Sequence, residues 1–388
     1  MNQNPERIYL DYAATTPLRS EVRDAIERAF DAAAFNPSSL HAEGRRARAL
    51  IDEARERVAS LLGAMHGEIV FTSGGTEADN LAIVGAARAS RDGERRHLVT
   101  SAIEHHAVLH TFEALREEGF EVTVVGVDES GTVNPEAFAA AVRDDTLLAS
   151  VMYANNEIGS VQPIADLARI AHAHGAIFHT DAVQAPLWLP LNVGGLGVDS
   201  LSLSAHKFQG PQGVGALYVR KGIPFRPLLH GGGQERGRRA GTENSLGIVG
   251  LARALELAIR ERDETSRRVS ELRNRLEVGV QAAIGGVRIN AERAVRLPNV
   301  AHLSFQGLES DALLLGFDLS GLAVSAGSAC TSGVLEPSHV LAALGVEPRW
   351  QRGAVRFSLG PPTTKAEIER VLGIVPNAIA ALRVESPA

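Results

Sequence analysis

The first residue type that can do chemistry in this chain is a lysine, in the run Ser204-Ala205-His206-Lys207. Only three lysines occur among the 39 basic residues, at positions 207, 221 and 365. Arginine cannot replace such an amine, because a guanidinium stays protonated whereas a lysine with a lowered pKa can form an imine. Lys221 lies in a charged turn and Lys365 begins a predicted helix, which indicates that both are exposed. We therefore predict that Lys207 carries covalent chemistry.

The second reactive group is a single thiol. Cys330 is the only cysteine, so an intrachain disulfide and a multi-thiolate metal site are excluded. A lone cysteine is most often a small buried hydrophobic residue. Here, however, the flanking residues 325–333 are small, polar and bracketed by glycine, which predicts a mobile and exposed loop. The alternative we favour is an accessible thiol.

A carboxylate and an amide follow another predicted strand. Asp181 and Gln184 lie in the motif His179-Thr180-Asp181-Ala182-Val183-Gln184. Open α/β sheets bind ligands at the carboxyl ends of their strands. A carboxylate there favours the protonated form of a pyridine ring nitrogen, and Gln184 is suited to bind the ring's phenolic oxygen. The alternative is that Asp181 caps a helix.

A glycine-rich turn, Ser73-Gly74-Gly75-Thr76, lies between a predicted strand and a predicted helix. Free backbone N–H groups at such a turn bind anions, and Thr76 adds a hydroxyl group. The turn matches neither the dinucleotide-binding nor the Walker A pattern, which argues against NAD and ATP. An ordinary turn remains the alternative.

Two further side chains are candidates. His105 follows a strand end, where an imidazole can stack on a flat cofactor and exchange protons. The pair His105-His106 also suggests a metal, but no cysteine or acidic ligand pattern lies nearby. Arg356 lies in a late strand and is suited to clamp a substrate carboxylate, the alternative being a charge on the surface of the strand.

The elements that position these residues alternate over the first two-thirds of the chain, which predicts a parallel α/β sheet. The predicted strands are 68–72, 97–100, 121–127, 147–153, 176–180, 200–204 and 215–219, and the predicted helices are 77–89, 106–118 and 164–174. A long charged helix is predicted over 244–284. It leads to a smaller α+β region with strands 300–305 and 354–359 and helices 311–315, 338–344 and 365–382.

Composition places bounds on the function. The 388 residues are 45% hydrophobic and 22% charged, with a formal net charge of -7, which gives no reason to expect binding to nucleic acid or to a membrane surface. No apolar run approaches the roughly 20 residues that a spanning helix needs. The first residues lack a signal-peptide pattern, so we expect a cytoplasmic protein.

Taken together, these motifs resemble pyridoxal-phosphate enzymes of the aspartate-aminotransferase fold type. More narrowly, the chain is similar to cysteine desulfurases of the NifS/IscS type, in the class with the longer active-site cysteine loop. The resemblance runs almost end to end. In the family's order it includes Tyr9-Leu10-Asp11, Asn36-Pro37-Ser38-Ser39-Leu40-His41, Phe71-Thr72-Ser73-Gly74-Gly75-Thr76-Glu77, Asn155-Asn156-Glu157-Ile158-Gly159, Gly231-Gly232-Gly233-Gln234-Glu235, Gly241-Thr242-Glu243-Asn244, Gly327-Ser328-Ala329-Cys330-Thr331-Ser332 and Arg356-Phe357-Ser358-Leu359-Gly360.

The resemblance implies a role for each candidate residue. Lys207 would hold pyridoxal 5'-phosphate as an imine, Asp181 would pair with the ring nitrogen, and Gln184 would contact the ring hydroxyl. His105 would stack on the ring and transfer protons. The phosphate would be bound by Gly75, Thr76, Ser204, His206 and Thr242 of the partner subunit. The substrate carboxylate would be held by Asn156, which also contacts the cofactor, and by Arg356.

The implied activity is removal of sulfur from L-cysteine, which gives L-alanine and a persulfide on Cys330. The implied fold has a large cofactor-binding domain, 13–258, and a small α+β domain formed by 1–12 and 259–388. The protein would be a homodimer that passes sulfur to an acceptor such as an iron–sulfur scaffold or a tRNA-thiolation enzyme. It would contact no nucleic acid directly and no membrane.

Several alternatives stay open at this stage. A selenocysteine lyase, or another lyase or aminotransferase of the same fold, shares the lysine and the aspartate, although these enzymes need no thiol on a loop. A non-catalytic sulfur-trafficking scaffold is a further possibility, but it would be expected to lack the lysine or the cysteine. No resident metal is expected, and a transient role of Cys330 as a cluster ligand remains open. Relatives that serve iron–sulfur cluster assembly often carry a longer C-terminal tail, so cluster assembly, tRNA thiolation and cofactor sulfuration all stay open as destinations of the sulfur.

Overall fold

The computed structural model describes residues 7–90, 95–327 and 338–385. Within these ranges the strands are β1 (Ile8–Tyr9), β2 (Ile69–Thr72), β3 (His97–Ser101), β4 (Glu121–Val125), β5 (Thr146–Ser150), β6 (Ile177–Asp181), β7 (Ser200–Ser204), β8 (Gly215–Val219), β9 (Val287–Ile289), β10 (Val300–Phe305), β11 (Leu322–Ala323) and β12 (Ala354–Ser358). The α-helices are α1 (Ser20–Ala33), α2 (Ala42–Leu62), α3 (Gly75–Ala89), α4 (His106–Glu117), α5 (Pro135–Ala141), α6 (Ile164–Ala173), α7 (Val193–Leu196), α8 (Ser245–Ala283), α9 (Ser310–Leu319), α10 (His339–Ala343), α11 (Pro348–Gln351) and α12 (Lys365–Glu385).

Seven strands form the main sheet, in the order β2-β8-β7-β6-β5-β3-β4. The strands from β7 to β4 are parallel to their neighbours, while β8 is antiparallel to both β7 and β2. Every residue of β2, β3, β5, β7 and β8 is buried, as expected for a sheet that is covered by helices on both faces. The predicted α/β fold with a mostly parallel sheet is confirmed.

This topology brings the chemically interesting residues to one edge. Strands β3, β5, β6 and β7 run in the same direction, so their carboxyl ends lie side by side. Strand β2 also runs this way, because two antiparallel pairings separate it from β7. His105 and Lys207 follow β3 and β7, and Asp181 is the last residue of β6. Ligand sites of open α/β sheets are found at this edge.

The smaller region contains an antiparallel sheet in the order β12-β10-β9 and the parallel pair β1-β11. The N-terminal segment joins this region, because Tyr12 N donates to Ser358 O. The connecting helix α8 has 39 residues and is therefore about 58 Å long. The proposed domain boundary, between residues 258 and 259, falls inside α8, and the division into two domains stays a prediction.

Most element boundaries match the predictions within a few residues, with some differences. Strands β4 and β5 end at Val125 and Ser150, earlier than the predicted ends at 127 and 153. Helix α9 extends to Leu319, further than predicted. Helices α1 and α2 were not predicted. In the described part of the chain, no helix is long and apolar enough to cross a membrane.

Candidate active site

A cavity of about 370 Å³ opens at the carboxyl edge of the main sheet. It is lined by Ala13, Ala14, Gly75, Thr76, Asp79, His105, Met152, Asn156, Asp181, Val183, Gln184, Ser204, His206, Lys207, Ser325, Gly327 and Arg356. Ten of the twelve candidate residues therefore share one cavity: Gly75, Thr76, His105, Asn156, Asp181, Gln184, Ser204, His206, Lys207 and Arg356. Their individual roles remain predictions.

The amine of Lys207 lies at the wall of this cavity. A 3₁₀ turn, Ala205–Lys207, follows β7, and Nζ donates to the carbonyl oxygens of Ala13 at 2.7 Å and Ala14 at 2.8 Å. Burial, and then the charge of Arg356, lower the pKa of Lys207 to about 8. A substantial fraction of the amine is therefore unprotonated just above neutral pH, as a nucleophile requires. Lys221 and Lys365 are exposed elsewhere, as predicted.

Asp181 is the last residue of strand β6, and its carboxyl group can carry a negative charge at neutral pH. Burial raises its pKa to about 6, while the Val183 N–H, which donates to Oδ1 at 2.8 Å, opposes that shift. The carboxyl group is therefore ionised at neutral pH and above. The alternative that Asp181 caps a helix is wrong, because the next helix, α7, begins only at Val193. Gln184 lies beside it and donates through Nε2 to Ala13 O at 3.0 Å.

His105 is the N-cap of helix α4, and it lines the cavity. Its Nδ1 accepts the N–H of Ala107 at 3.1 Å, so this nitrogen carries no proton. Burial, and then the charge of Lys207, lower the pKa of His105 to about 4. The ring is therefore neutral with its proton on Nε2, a form that can both stack on a flat ring and gain a proton.

The glycine-rich turn forms a cradle at the start of helix α3. A Cβ atom at Gly75 would lie 2.8 Å from Val183 Cγ2 and 3.4 Å from Ser204 Cβ, so only glycine fits there. Thr76 and His206 also line the cavity. Burial lowers the pKa of His206 to about 4, and its Nδ1 lies 3.0 Å from Thr15 Oγ1. Backbone N–H groups at a helix start bind phosphate, so the cradle fits a phosphate-bearing cofactor.

Arg356 also lines the cavity. It is 3% exposed, so the alternative of a surface charge is wrong. Nη1 donates to Asn156 O at 2.7 Å and Nη2 to Asp11 Oδ1 at 2.8 Å, while Nε is buried without a hydrogen-bond partner in the described residues. A buried donor without an acceptor is costly. The arrangement therefore fits an incoming carboxylate that completes the hydrogen bonding of the guanidinium.

One acid of the site was missed by the sequence analysis. Asp79 lines the cavity and is fully buried, and its Oδ1 has no hydrogen-bond partner in the described residues. Burial, and then the charge of Asp181, raise the pKa of Asp79 well above its usual value. The available signal was its spacing: Asp79 is four residues after Gly75 and therefore on the same face of helix α3.

A second buried acid supports a prediction about pH. Glu104 Oε1 accepts from Met152 N at 3.0 Å and from the Ser101 hydroxyl, while Oε2 has no partner among the described residues. Burial raises the pKa of Glu104 from 4.5 to about 8. The folded protein thus keeps a proton that the unfolded chain releases near pH 4.5. The contribution of Glu104 to stability is therefore full below that pH and is lost as the pH rises towards 8.

We expect Glu104→Gln, which cannot ionise, to remove this loss. The free energy of unfolding of the variant minus that of the wild type is expected to increase between pH 5 and 8, by up to about 1.4 kcal/mol per pH unit. Urea unfolding of the cofactor-free protein at several pH values measures this difference. Parallel pH profiles for the two proteins would contradict the prediction.

Two candidate residues do not reach the cavity in the described structure. Thr242 is exposed and does not line the cavity of its own chain, so its expected contribution to a partner's site stays a prediction. Cys330, and with it the loop expected around it, lies outside the described residues. The chain enters that segment from Gly327, which does line the cavity.

Comparison with known proteins relates this cavity to one family. Residues 8–371 match the aminotransferase class-V family. The chain is 50% identical to cysteine desulfurase IscS of Dictyoglomus turgidum over 98% of this chain and 96% of that protein. It is 49% identical to cysteine desulfurase IscS of Methanosarcina thermophila over 98% of this chain and 94% of that protein.

Solved structures agree with the sequence comparison. A NifS-like protein superposes with a TM-score of 0.91 and 38% identity, covering 97% of this chain and 100% of that one. A structure of SspA in complex with cysteine superposes with a TM-score of 0.79 and 37% identity, covering 92% of this chain and 99% of that one. The chain therefore belongs to the class-V aminotransferases and, within them, to the cysteine desulfurases of the IscS and NifS type.

Proposed function

We propose that this protein is a pyridoxal-phosphate-dependent cysteine desulfurase. In this reaction, L-cysteine and the Cys330 thiol give L-alanine and a Cys330 persulfide. The substrate sulfur loses its bond to carbon and gains a bond to the sulfur of Cys330. One observation carries the proposal. The Lys207 amine, the Asp181 carboxylate and the Arg356 guanidinium share a cavity whose wall includes Gly327, three residues before the only cysteine of the chain.

The family is pyridoxal-phosphate-dependent in general, and the residues of this cavity fit that cofactor. The phosphate would be held at Gly75, Thr76, Ser204 and His206, and the ring nitrogen would face Asp181. When bound, the cofactor supplies an aldehyde that joins amines and a ring that withdraws electrons. Lys207 would be its attachment point, because it is the one lysine among the cavity-lining residues.

Arg356 and Asn156 would orient the substrate, since both line the cavity. Arg356 Nε is buried without a hydrogen-bond partner in the described residues, and a guanidinium is suited to bind the carboxylate of L-cysteine. A carboxylate held there would place the α-carbon in the cavity that Lys207 also lines. The neutral amine of Lys207 is then the base that removes the α-proton, and neutral His105 takes part in proton transfer.

The sulfur acceptor within the protein is the thiolate of Cys330, which is the nucleophilic form of a cysteine. Three residues of chain between Gly327 and Cys330 span at most about 11 Å. Covalent geometry therefore keeps the thiol within reach of a cavity that Gly327 lines. An aminotransferase would use the same lysine, aspartate and phosphate cradle but would have no use for this thiol.

The proposal extends to partners. The protein would act as a homodimer in which Thr242 of the partner subunit completes the phosphate site, consistent with its exposed position away from its own cavity. The persulfide would be passed to acceptor proteins for iron–sulfur cluster assembly or for thiolation of tRNA or cofactors.

Incubation of the purified, cofactor-loaded protein with L-cysteine tests the proposal. We expect one L-alanine and one protein-bound sulfane sulfur per active site in the first turnover, because the Cys330 thiol receives the sulfur that the substrate loses. Amino-acid analysis and cyanolysis measure the two products. D-Cysteine provides the control for substrate geometry. Formation of pyruvate in place of alanine, or alanine without bound sulfur, would identify a different lyase chemistry and refute the proposal.

A further inference from the structure

Both described ends of the segment 328–337 lie against one side chain. The Ser338 hydroxyl donates to Glu157 Oε2 at 2.5 Å. At the other end, a Cβ atom added to Gly327 would lie 3.3 Å from both Cγ and Oε2 of Glu157, so the Gly327 backbone packs directly against that carboxyl group. The residue before the segment and the residue after it therefore meet at Glu157.

Glu157 is itself held by a rigid turn. It is 2% exposed, and its N–H donates to Asn155 Oδ1 at 2.8 Å. Asn155 Oδ1 also accepts the Ile158 N–H at 2.9 Å, and Asn155 Nδ2 donates to Ile103 O at 2.9 Å. The carboxyl group thus projects from a backbone that is anchored to the interior of the protein, and it can act as a fixed point.

The same turn and the two ends of the segment contact the candidate active site. Arg356 donates through Nη1 to Asn156 O at 2.7 Å. Arg356 and Ser325 exchange backbone hydrogen bonds, at 2.6 Å from Arg356 N and 3.2 Å from Ser325 N. At the far end, His339 Nε2 lies 3.0 Å from the Glu104 carbonyl oxygen, one residue before the predicted ring-stacking histidine. The two attachment points are therefore connected to Arg356 and to the residue that precedes His105, and both Arg356 and His105 line the cavity.

A buried carboxyl group is an expensive way to hold two pieces of chain together. Burial raises the pKa of Glu157, and among the described residues the one side-chain donor to its carboxyl group is Ser338. Removing a carboxyl group from water costs free energy that one hydrogen bond only partly offsets. An apolar residue would pack against Gly327 equally well, but it would not bind Ser338. The carboxyl group contacts Gly327 and binds Ser338, and it thereby fixes the position of these two residues relative to each other.

We propose that Glu157 is a positioning residue for sulfur transfer, which binds Ser338 and packs against Gly327 so that both attachment points of segment 328–337 are fixed beside the cavity. The inference rests on the proposed function, because it concerns delivery of the Cys330 thiol that lies within this segment. With both attachment points fixed, the length of chain between them limits how far the Cys330 thiol can lie from the cavity, which raises its effective concentration at the substrate sulfur.

The proposal separates two steps that a single activity assay would combine. Neither Glu157 nor Ser338 is among the residues that line the cavity, so we expect binding of L-cysteine and proton removal by Lys207 to proceed without them. Arrival of the thiol at the substrate sulfur depends on them. Loss of the Ser338–Glu157 hydrogen bond is therefore expected to slow persulfide formation while leaving the earlier step unchanged. A general loss of structure would affect both steps.

Rapid mixing of the cofactor-loaded protein with L-cysteine tests this separation. The change in cofactor absorbance reports the early step, and acid quenching followed by peptide mass spectrometry reports the persulfide on Cys330. For Ser338→Ala and Glu157→Ala we expect persulfide formation to slow about tenfold or more, the factor that one lost hydrogen bond produces, with the absorbance change within about twofold of wild type. Glu157→Gln keeps an oxygen acceptor for Ser338 and is expected to retain the wild-type rate of transfer.

Ser160→Ala is the matched control. Ser160 is buried in the same turn and donates to Gly131 O at 2.8 Å, away from both ends of the segment, so this variant is expected to keep both rates. Thermal melts check folding, and Ser338→Ala, which removes only a hydroxyl group, decides the matter if Glu157→Ala does not fold. An unchanged persulfide rate in Ser338→Ala, an equal loss of both steps, or the same loss in Ser160→Ala would overturn the inference. Wild-type protein that forms no Cys330 persulfide would instead refute the proposed function, and the inference with it.

Discussion

Replacement of Lys207 by alanine is expected to abolish turnover of L-cysteine, with a loss of at least about 10³-fold, because one amine provides both the cofactor attachment and the catalytic base. No second lysine lines the cavity, and the Lys207 amine is held by the carbonyl oxygens of Ala13 and Ala14 in a position that a neighbouring side chain cannot copy. Alanine production measures the loss. The visible absorption of the lysine-bound cofactor is expected to disappear as well.

Two controls make this result specific to the amine. Lys207→Arg keeps a positive charge but cannot join an aldehyde, so it should be as inactive as the alanine variant. Lys221→Ala removes an exposed lysine and should remain active. Borohydride treatment of the wild type should fix the cofactor on the peptide that contains Lys207. Recovery of the label on Lys221 or Lys365, or turnover by Lys207→Ala, would show that the amine has been wrongly assigned.

The main sheet was predictable because its signals are local. Strand β7 matches its predicted range of 200–204, and helix α8 differs by one residue at each end, since short apolar runs and a long periodic segment need no tertiary information. Helix α2 was missed because three of its buried residues are Ala47, Ala54 and Ala59, and alanine contributes little to hydrophobic periodicity. Helix α1 was missed although its apolar residues, among them the buried Val22 and Ala29, recur at helical spacing on one face. Both helices pack against α8.

The candidate site shows a similar division. Side chains that follow strand ends, such as Asp181 and Lys207, were predictable because parallel strands bring their carboxyl ends together. The carbonyl oxygens that hold Lys207 come from Ala13 and Ala14, residues whose side chains carry no chemical signal. Asp11 binds Arg356 although the two residues are 345 positions apart in sequence. Their pairing therefore depends on the complete fold. Backbone acceptors and distant ion pairs were beyond sequence reasoning.

The second large effect is expected for Cys330→Ala. We predict that this variant keeps its cofactor absorbance and still binds L-cysteine, because none of the described residues that line the cavity is altered. It should lose persulfide formation completely, since the chain contains no other cysteine to receive the sulfur. Sulfide release in the presence of a reducing thiol should fall by at least about 10³-fold, the scale expected when the nucleophile of a covalent mechanism is removed.

Cys330→Ser is the closest control, because it keeps the size and hydrogen bonding of the side chain but supplies a hydroxyl group that is a far weaker nucleophile than a thiolate. It should resemble the alanine variant in both readouts. Lys207→Ala and Cys330→Ala should then fail differently: the first without cofactor absorbance, the second with it. If Cys330→Ala released sulfide at the wild-type rate, the substrate sulfur would leave without a protein acceptor. The position of Gly327 at the cavity wall would then have no bearing on sulfur transfer.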